Sequence, residues 1–239
     1  MAARKKPAPP AGTLADRAYQ AVKQAILRGE FPEGSFLSEG EITTRYQIGR
    51  TPFREACNRL HNEQLLEVVP RRGYYVPEMS FRTVRDLMET RLILEGVAAE
   101  LAARRAEPAE VAELDRLCKQ TLALARSRDH LDAFIQANTD FHLQIARMAR
   151  NRELESLLRG VLERSTRLFY LVVRSTQTPE KDAEDFLKPI VDAVRRKDSR
   201  AAHEAVVTDI TQGQLNVLGR DLWATPASAL ARIRETLRP

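Results

Sequence analysis

The stretch GRTPFREACNRLHNEQLLEVVPRRGYYV, residues 49–76, places two arginines at the start of a short amphipathic segment and two more in a turn between apolar runs. On a helical wheel through residues 51–60, Phe53, Ala56, Cys57 and Leu60 cluster within about 100°, while Arg54, Glu55 and Asn58 fall on the other side. One face packs and the other is left for a partner. Thr51-Pro52 reads as the start of this helix, with Thr51 as N-cap and proline at the first position. Beyond Asn62, residues 65–69 and 74–76 are rich in β-formers. Pro70-Arg71-Arg72-Gly73 between them reads as the bend of a hairpin, with glycine supplying the tight conformation.

Upstream, Thr13 and Asp16 form the acidic variant of a capping box and open a helix to about residue 28, stopped by Gly29 and the Pro32/Gly34 pair. Ser38 and Glu41 form a second box, flanked by Leu37 and Ile42, and open a short helix that gives out near Tyr46. Gln47-Ile48-Gly49 makes the turn. Three helices, a tight turn between the last two, and a hairpin spell a winged helix-turn-helix over residues 13–77. Residues 1–12, MAARKKPAPPAG, read as a disordered basic arm. Residues 78–81 are a linker, and residues 82–220 hold an all-α domain. Its six helices, at about 81–105, 108–127, 129–149, 152–175, 179–197 and 198–219, have short connections that imply an antiparallel bundle. Residues 221–239 form a tail containing Trp223. The fold class is mainly α, with one small β-hairpin wing.

Composition sets the outer bounds. At 239 residues, 43% hydrophobic and 30% charged, the chain has the makeup of a water-soluble globular protein with room for two domains. The longest apolar run, residues 168–173, is far short of the ~18 residues of a spanning helix, and no apolar signal core is present, so no membrane partner is expected. Cys57 and Cys118 make neither a disulfide framework nor a zinc set, which points to a reducing cytoplasm. The net charge of +5 permits a polyanionic partner without proving one. Placement has to carry that inference.

In helix-turn-helix docking the N-terminal residues of the second helix meet base edges, and Arg50, Thr51 and Arg54 stand there. Arginine donates in bidentate fashion to guanine O6 and N7, and Thr51 can bond a phosphate. Arg71, Arg72 and Gly73 tip the wing, and Arg45 suits a backbone contact. Any isolated pair of arginines is more often an ordinary solvated face. The capped helices, the turn, the basic wing and the apolar reverse face together select double-stranded DNA.

Residues 18–76, from Ala18-Tyr19-Gln20 through the quoted hairpin, resemble the DNA-binding domain of GntR-type transcription factors. The helical half resembles the FCD ligand-binding domain of their FadR-type subgroup, through METRLILE at residues 88–95 and NTDFH at residues 138–142. The resemblance spans about residues 14–219. It implies that Arg50, Thr51, Arg54 and the wing around Arg72-Gly73 contact an operator. Several relatives place a base-reading arginine after the Ser-Glu pair. This chain has Gly40 there.

In the helix from about residue 129, Leu131, Phe134, Ile135, Phe141 and Ile145 define an apolar face that also carries Asn138 and His142. Four residues apart, these two reach one point, as metal ligands do. The plainer reading is a buried histidine bonded to a neighbour. The resemblance implies an Asp or Asn and a His here plus two histidines on the last two helices, and those positions hold Leu187 and Asp209. Leucine supplies no donor. What is left is a degenerate set for zinc, nickel or manganese, namely Asn138, His142 and Asp209, and a tight site is not expected. Neither His203 nor His130 repairs it, whereas Glu184 or Asp185 would if the register slipped by a turn.

Arg91 and Glu95 share the inner face of their helix with Val84, Leu87, Leu94, Ala98 and Ala102. A buried arginine needs an anion. Glu95 or Asp209 supplies it on a purely structural reading; a functional reading adds an effector carboxylate, the common effector type that the resemblance implies. Tyr170 and Arg174 are further candidates for the same cavity.

These readings lead to a homodimeric transcriptional regulator of repressor type whose operator affinity is set by a small organic acid bound in the bundle. A metal-dependent bundle enzyme with a DNA-binding appendage would need paired Glu-x-x-His motifs or a nucleophile with a base, and the sequence has neither. A constitutive dimeric DNA binder is the more serious alternative. An apolar cavity holding unpaired polar groups would argue against it.

Overall fold

The computed structural model describes residues 13–125, 130–175 and 183–218, and no side chains from 171 to 184 or beyond 212. The expected basic arm and C-terminal tail lie outside the described residues. Two compact units divide at Glu78/Met79.

The first unit opens with α1 (Leu14–Leu27), whose Thr13/Asp16 capping box is formed in both directions. Gly29, at φ 66°, ends it, because the Glu30 N–H bonds back to Ala25 and the Gly29 N–H to Ile26, a pairing that requires a left-handed residue. Helix α2 (Glu39–Tyr46) is capped by Ser38, which accepts from the Glu41 N–H. Helix α3 (Arg50–Asn62) begins one residue before Thr51, with Gly49 as N-cap and Phe53 N–H bonded to Gly49 O. Thr51 is therefore not the cap expected from Thr51-Pro52. Proline is tolerated inside the first turn because the N–H groups there have no intrahelical acceptor.

Helix α3 also ends at a left-handed residue, Gln64 (φ 60°), and the N–H groups of Leu65 and Leu66 both turn back to Leu60 O. This shortens the expected 65–69 strand to β2 (Glu67–Val69): Leu65 and Leu66 are buried as the plug of the helix end, not as strand residues. It pairs antiparallel with β3 (Gly73–Tyr75), and a third strand that the sequence reading missed, β1 (Phe36–Leu37), pairs on the other side, giving the order β1-β3-β2. Two residues are too few to show an alternating pattern. Val22, Ile26, Ile42, Phe53, Leu60 and Val76 are buried beneath the sheet and helices, each stabilising by roughly 1.5–3 kcal/mol. Phe53 meets Tyr74 edge-on at 5.7 Å, which docks α3 against the wing.

The second unit contains α4 (Phe81–Arg105), α5 (Pro108–Leu124), α6 (Leu131–Met148), α7 (Arg152–Ser175), α8 (Ala183–Arg195) and α9 (Ser199–Leu218). Helix α4 is central and packs on α6, α7, α8 and α9, while α5 packs on α6 and α8. The short 106–107 connection thus does not make α4 and α5 a closely packed pair. Ala98, Ala99, Ala102 and Ala103 are all buried, and their small side chains let helices approach α4 from more than one side.

At Gly96 the approach is closer still: a Cβ there would lie 2.8 Å from the His203 ring of α9. His203 is half-exposed and paired with Glu100 at 2.9 Å, so its ring can swing aside. Gly96→Ala should change stability by less than about 1 kcal/mol, while Gly96→Leu should cost roughly 1–3 kcal/mol by overpacking. Urea denaturation of the two variants separates these outcomes. Equal costs would show that the contact is not what confines this position.

Candidate nucleic-acid interface and effector cavity

Helices α2 and α3 bring Arg45, Arg50, Thr51 and Arg54 to the surface of the first unit. The Arg50 and Arg54 side chains are 82% and 63% exposed, and Thr51 is exposed. Each arginine has an anionic neighbour that the sequence reading did not assign. Arg54 donates through Nε to Glu39 at 3.0 Å and Arg50 Nε lies 3.5 Å from the same carboxylate. Arg45 pairs with Glu30 at 2.6 Å, and Tyr46 donates to that same oxygen. Beneath this face Cys57 is buried, and burial pushes its thiol up to about 12, so it is no nucleophile at neutral pH.

In the wing, the Arg72 N–H bonds to Val69 O and Arg71 takes φ 65°. The bend is therefore made by Pro70-Arg71, with arginine where a glycine is usual, and Gly73 at φ 102° opens β3 instead of forming the turn. Arg71 is thereby exposed at the tip, while Arg72 lies over the Phe36 ring at 4.3 Å. Phe36 could not be linked to the wing before β1 was known.

In the second unit a line of charged groups crosses three helices. Arg91 of α4 donates through Nε to Glu95 Oε1 at 2.6 Å, Glu95 Oε2 lies 2.7 Å from His142 Nδ1 of α6, and His142 Nε2 lies 3.4 Å from Asp209 Oδ2 of α9. Arg91, Glu95 and His142 are buried. The Nδ1–H direction is poorly aimed at Glu95, so that contact is charge pairing more than a directed hydrogen bond. Burial opposes ionisation of Glu95, but Arg91 and His142 overcome it and hold the carboxyl at about 2. Burial likewise opposes charge on His142, and Glu95, aided by Asp209, overcomes it and raises that pKa. Burial raises Asp209. The charges on Glu95 and His142 are thus held by their neighbours against the cost of burial.

Beside this line lies a small cavity, walled by Arg91 from α4, by Phe134, Ile135, Asn138, Thr139 and His142 from α6, and by Leu162, Ser165, Thr166 and Phe169 from α7. Thr139, Ser165 and Thr166 spend their hydroxyl protons on backbone carbonyls of their own helices. Arg91 has spent only Nε: its terminal nitrogens have no acceptor among the described residues, nor has the Asn138 amide. Donors left over beside the Phe134, Ile135, Leu162 and Phe169 side chains are what a ligand acceptor requires.

The structure thus brings Arg91, Asn138 and His142 to one wall, with Glu95 and Asp209 behind them. Tyr170 is buried but is not among the wall residues. The Arg174 and Glu184 side chains lie outside the described residues. Asp185 and His130 are exposed, and Leu187 is buried in the core. The α7 face at 162, 165, 166 and 169 was not read as a wall, although its i, i+3, i+4, i+7 spacing carried the signal.

As a metal centre the set is short. His142 Nε2 and Asp209, 3.4 Å apart, have the separation of two ligands on one ion, and Glu95 on Nδ1 resembles the outer partner of a ligating histidine. Leu187 adds no donor, and no group of three or more His, Cys, Asp or Glu suited to a metal occurs among the described residues. These residues do not fit a tight divalent site.

Residues 14–76 match the bacterial regulatory proteins of the gntR family, and residues 86–212 match the FCD domain. The chain is 26% identical over 192 residues to the uncharacterized HTH-type transcriptional regulator YdhC of Bacillus subtilis, covering 79% of this chain and 84% of that one. It is 25% identical over 195 residues to the HTH-type transcriptional repressor RspR of Escherichia coli, covering 81% and 84%. The solved structure of E. coli McbR/YncC shares the fold, with a TM-score of 0.74 at 22% identity over 84% of this chain and 95% of that one. The chain belongs to the GntR family, as a DNA-binding transcriptional regulator whose FCD domain binds the effector. No helix among the described residues is long and apolar enough to cross a membrane.

Proposed function

We propose that this chain is a cytoplasmic homodimeric repressor, and that its effector is a small organic acid whose carboxylate is bound by Arg91 in the α4–α6–α7 cavity. The observation that carries this reading is the buried Arg91 on the cavity wall, whose guanidinium engages a carboxylate through Nε alone among the described residues. A carboxylate accepts from such a fork in bidentate fashion. Asn138 adds a neutral donor beside it, and Phe134, Ile135, Leu162 and Phe169 suit a short apolar body. Ligand in this cavity touches three helices at once, so it can favour one arrangement of the bundle over another. Operator affinity follows only as far as the two arrangements bind the ligand differently. Two recognition helices on a two-fold dimer match paired half-sites, and the repressor names among the relatives favour that sign of regulation.

The reading assigns no catalysis, since the buried charges are consumed in neutralising one another. It also gives the cavity a role that a bundle serving only to dimerise would not need. The test is thermal denaturation of chelator-treated protein against short carboxylates and divalent metals, singly and together. A ligand at 100 times its dissociation constant should add about 2.7 kcal/mol of stability. Arg91→Lys keeps the charge beside Glu95 but loses the fork, and should weaken the carboxylate at least about tenfold. A response that appears only with metal would transfer the anchor from Arg91 to His142 and Asp209. No response to any carboxylate would overturn the effector class.

A further inference from the structure

Nothing in the fold demands that Arg50 and Arg54 be tied down, yet one side chain holds both. Glu39 takes the Arg54 Nε at 3.0 Å on one carboxylate oxygen and a terminal Arg54 nitrogen at 3.4 Å on the other, and Arg50 Nε stands 3.5 Å from it. Its backbone is firmly placed. Glu39 is the first residue of α2, next to the capping Ser38, in the turn where a helix favours negative charge, and its carbonyl accepts from the Thr43 hydroxyl at 2.8 Å. Gly40 beside it carries no side chain to compete for the carboxylate, and open space surrounds it.

An exposed ion pair of this kind contributes little to stability. Its effect is on what the arginines can do. A free arginine swings to any phosphate it can reach, which binds DNA of every sequence and lengthens the list of wrong sites. Arg54 held through Nε and one terminal nitrogen has a fixed guanidinium plane, and the remaining N–H groups on its outer edge are still a two-pronged donor of the shape that guanine O6 and N7 accept. The Glu39 charge also cancels part of the local positive field. Both effects lower affinity for arbitrary duplex while leaving the base-reading edge intact.

We propose that Glu39 is the specificity-determining positioning residue of the DNA interface: it buttresses Arg54 and Arg50 across the helix-turn-helix and so exchanges indiscriminate phosphate binding for base discrimination. Unlike the effector reading, this concerns the first unit alone.

The experiment uses the full chain. A randomised duplex pool is selected for binding, and the affinities of the selected duplex and of a scrambled one are then measured by fluorescence anisotropy across a salt series. The proteins are wild type, Glu39→Gln, Glu39→Asp and Arg54→Ala, each checked by thermal melting. Glu39→Gln should bind the scrambled duplex more tightly, steepen its salt dependence by about one phosphate contact, and reduce the ratio of selected to scrambled affinity roughly tenfold, with its melting unchanged. Glu39→Asp, with the charge kept on a shorter arm, should fall between. An unchanged ratio and salt slope would overturn the proposal, as would parallel weakening on both duplexes with a lower melting temperature, the mark of a purely structural role. Loss confined to one base position, with scrambled binding unaltered, would make Glu39 a direct base contact and overturn the buttress. If Arg54→Ala changes neither affinity, α3 is not the reading helix, and the interface assignment fails before the Glu39 proposal is reached.

Discussion

Glu95→Gln is expected to lower the stability of the helical unit by about 3–5 kcal/mol, because it removes the anion that faces both Arg91 and His142 in a buried site. Glutamine keeps the volume, so the loss is electrostatic and not a cavity cost. The dependence on pH gives the result a signature. A carboxyl held at about 2 when folded, against an ordinary 4.5, contributes stability that is fully present above about pH 4.5 and is lost as pH falls toward 2. His142 has the opposite sign: its raised pKa contributes stability that is present below its ordinary 6.5 and is lost as pH rises through the folded value. The gap between wild type and Glu95→Gln should be widest between those limits, and should close below pH 4.5 and narrow above the histidine titration. Urea midpoints at a series of pH values measure it. A gap independent of pH would show that the charges are not what glutamine disturbs.

Arg54→Ala should cost the operator complex on the order of 1–3 kcal/mol and relax the preference at one base position. Arg54 is exposed in the free protein and its carboxylate partner Glu39 is itself partly exposed, so folding stability should hardly change. The competing outcome is uniform weakening across all duplexes with a shallower salt slope, which would place Arg54 on phosphate and leave Arg50 and the wing to read sequence. Competition binding with the selected and singly substituted duplexes tells them apart.

Much of the first unit was legible before any coordinates. Caps at Thr13 and Ser38 and the period of Phe53, Ala56, Cys57 and Leu60 are local features, fixed by residues three or four apart, and each helix formed where they placed it. The wing was less legible. Its bend uses a left-handed arginine at 71 in preference to Gly73, and β1 is two residues long, so its existence depends on a partner strand nearly forty positions away. The same limit applied to the charges. Arg91 with Glu95 was readable as an i, i+4 pair within one helix, but the links from Glu95 to His142 and from His142 to Asp209 cross between helices far apart in sequence.

By itself, then, the sequence determined the helices, their order and the domain division, because periodicity, capping and turn chemistry act over a few residues. Only the tertiary structure decided that Arg91 shares a cavity wall with α7, that Tyr170 is not among the wall residues, and that Glu39 pairs with Arg50 and Arg54. Those outcomes depend on the rotation and approach of packed helices, where a shift of one position turns a side chain by about 100° and exchanges wall for core.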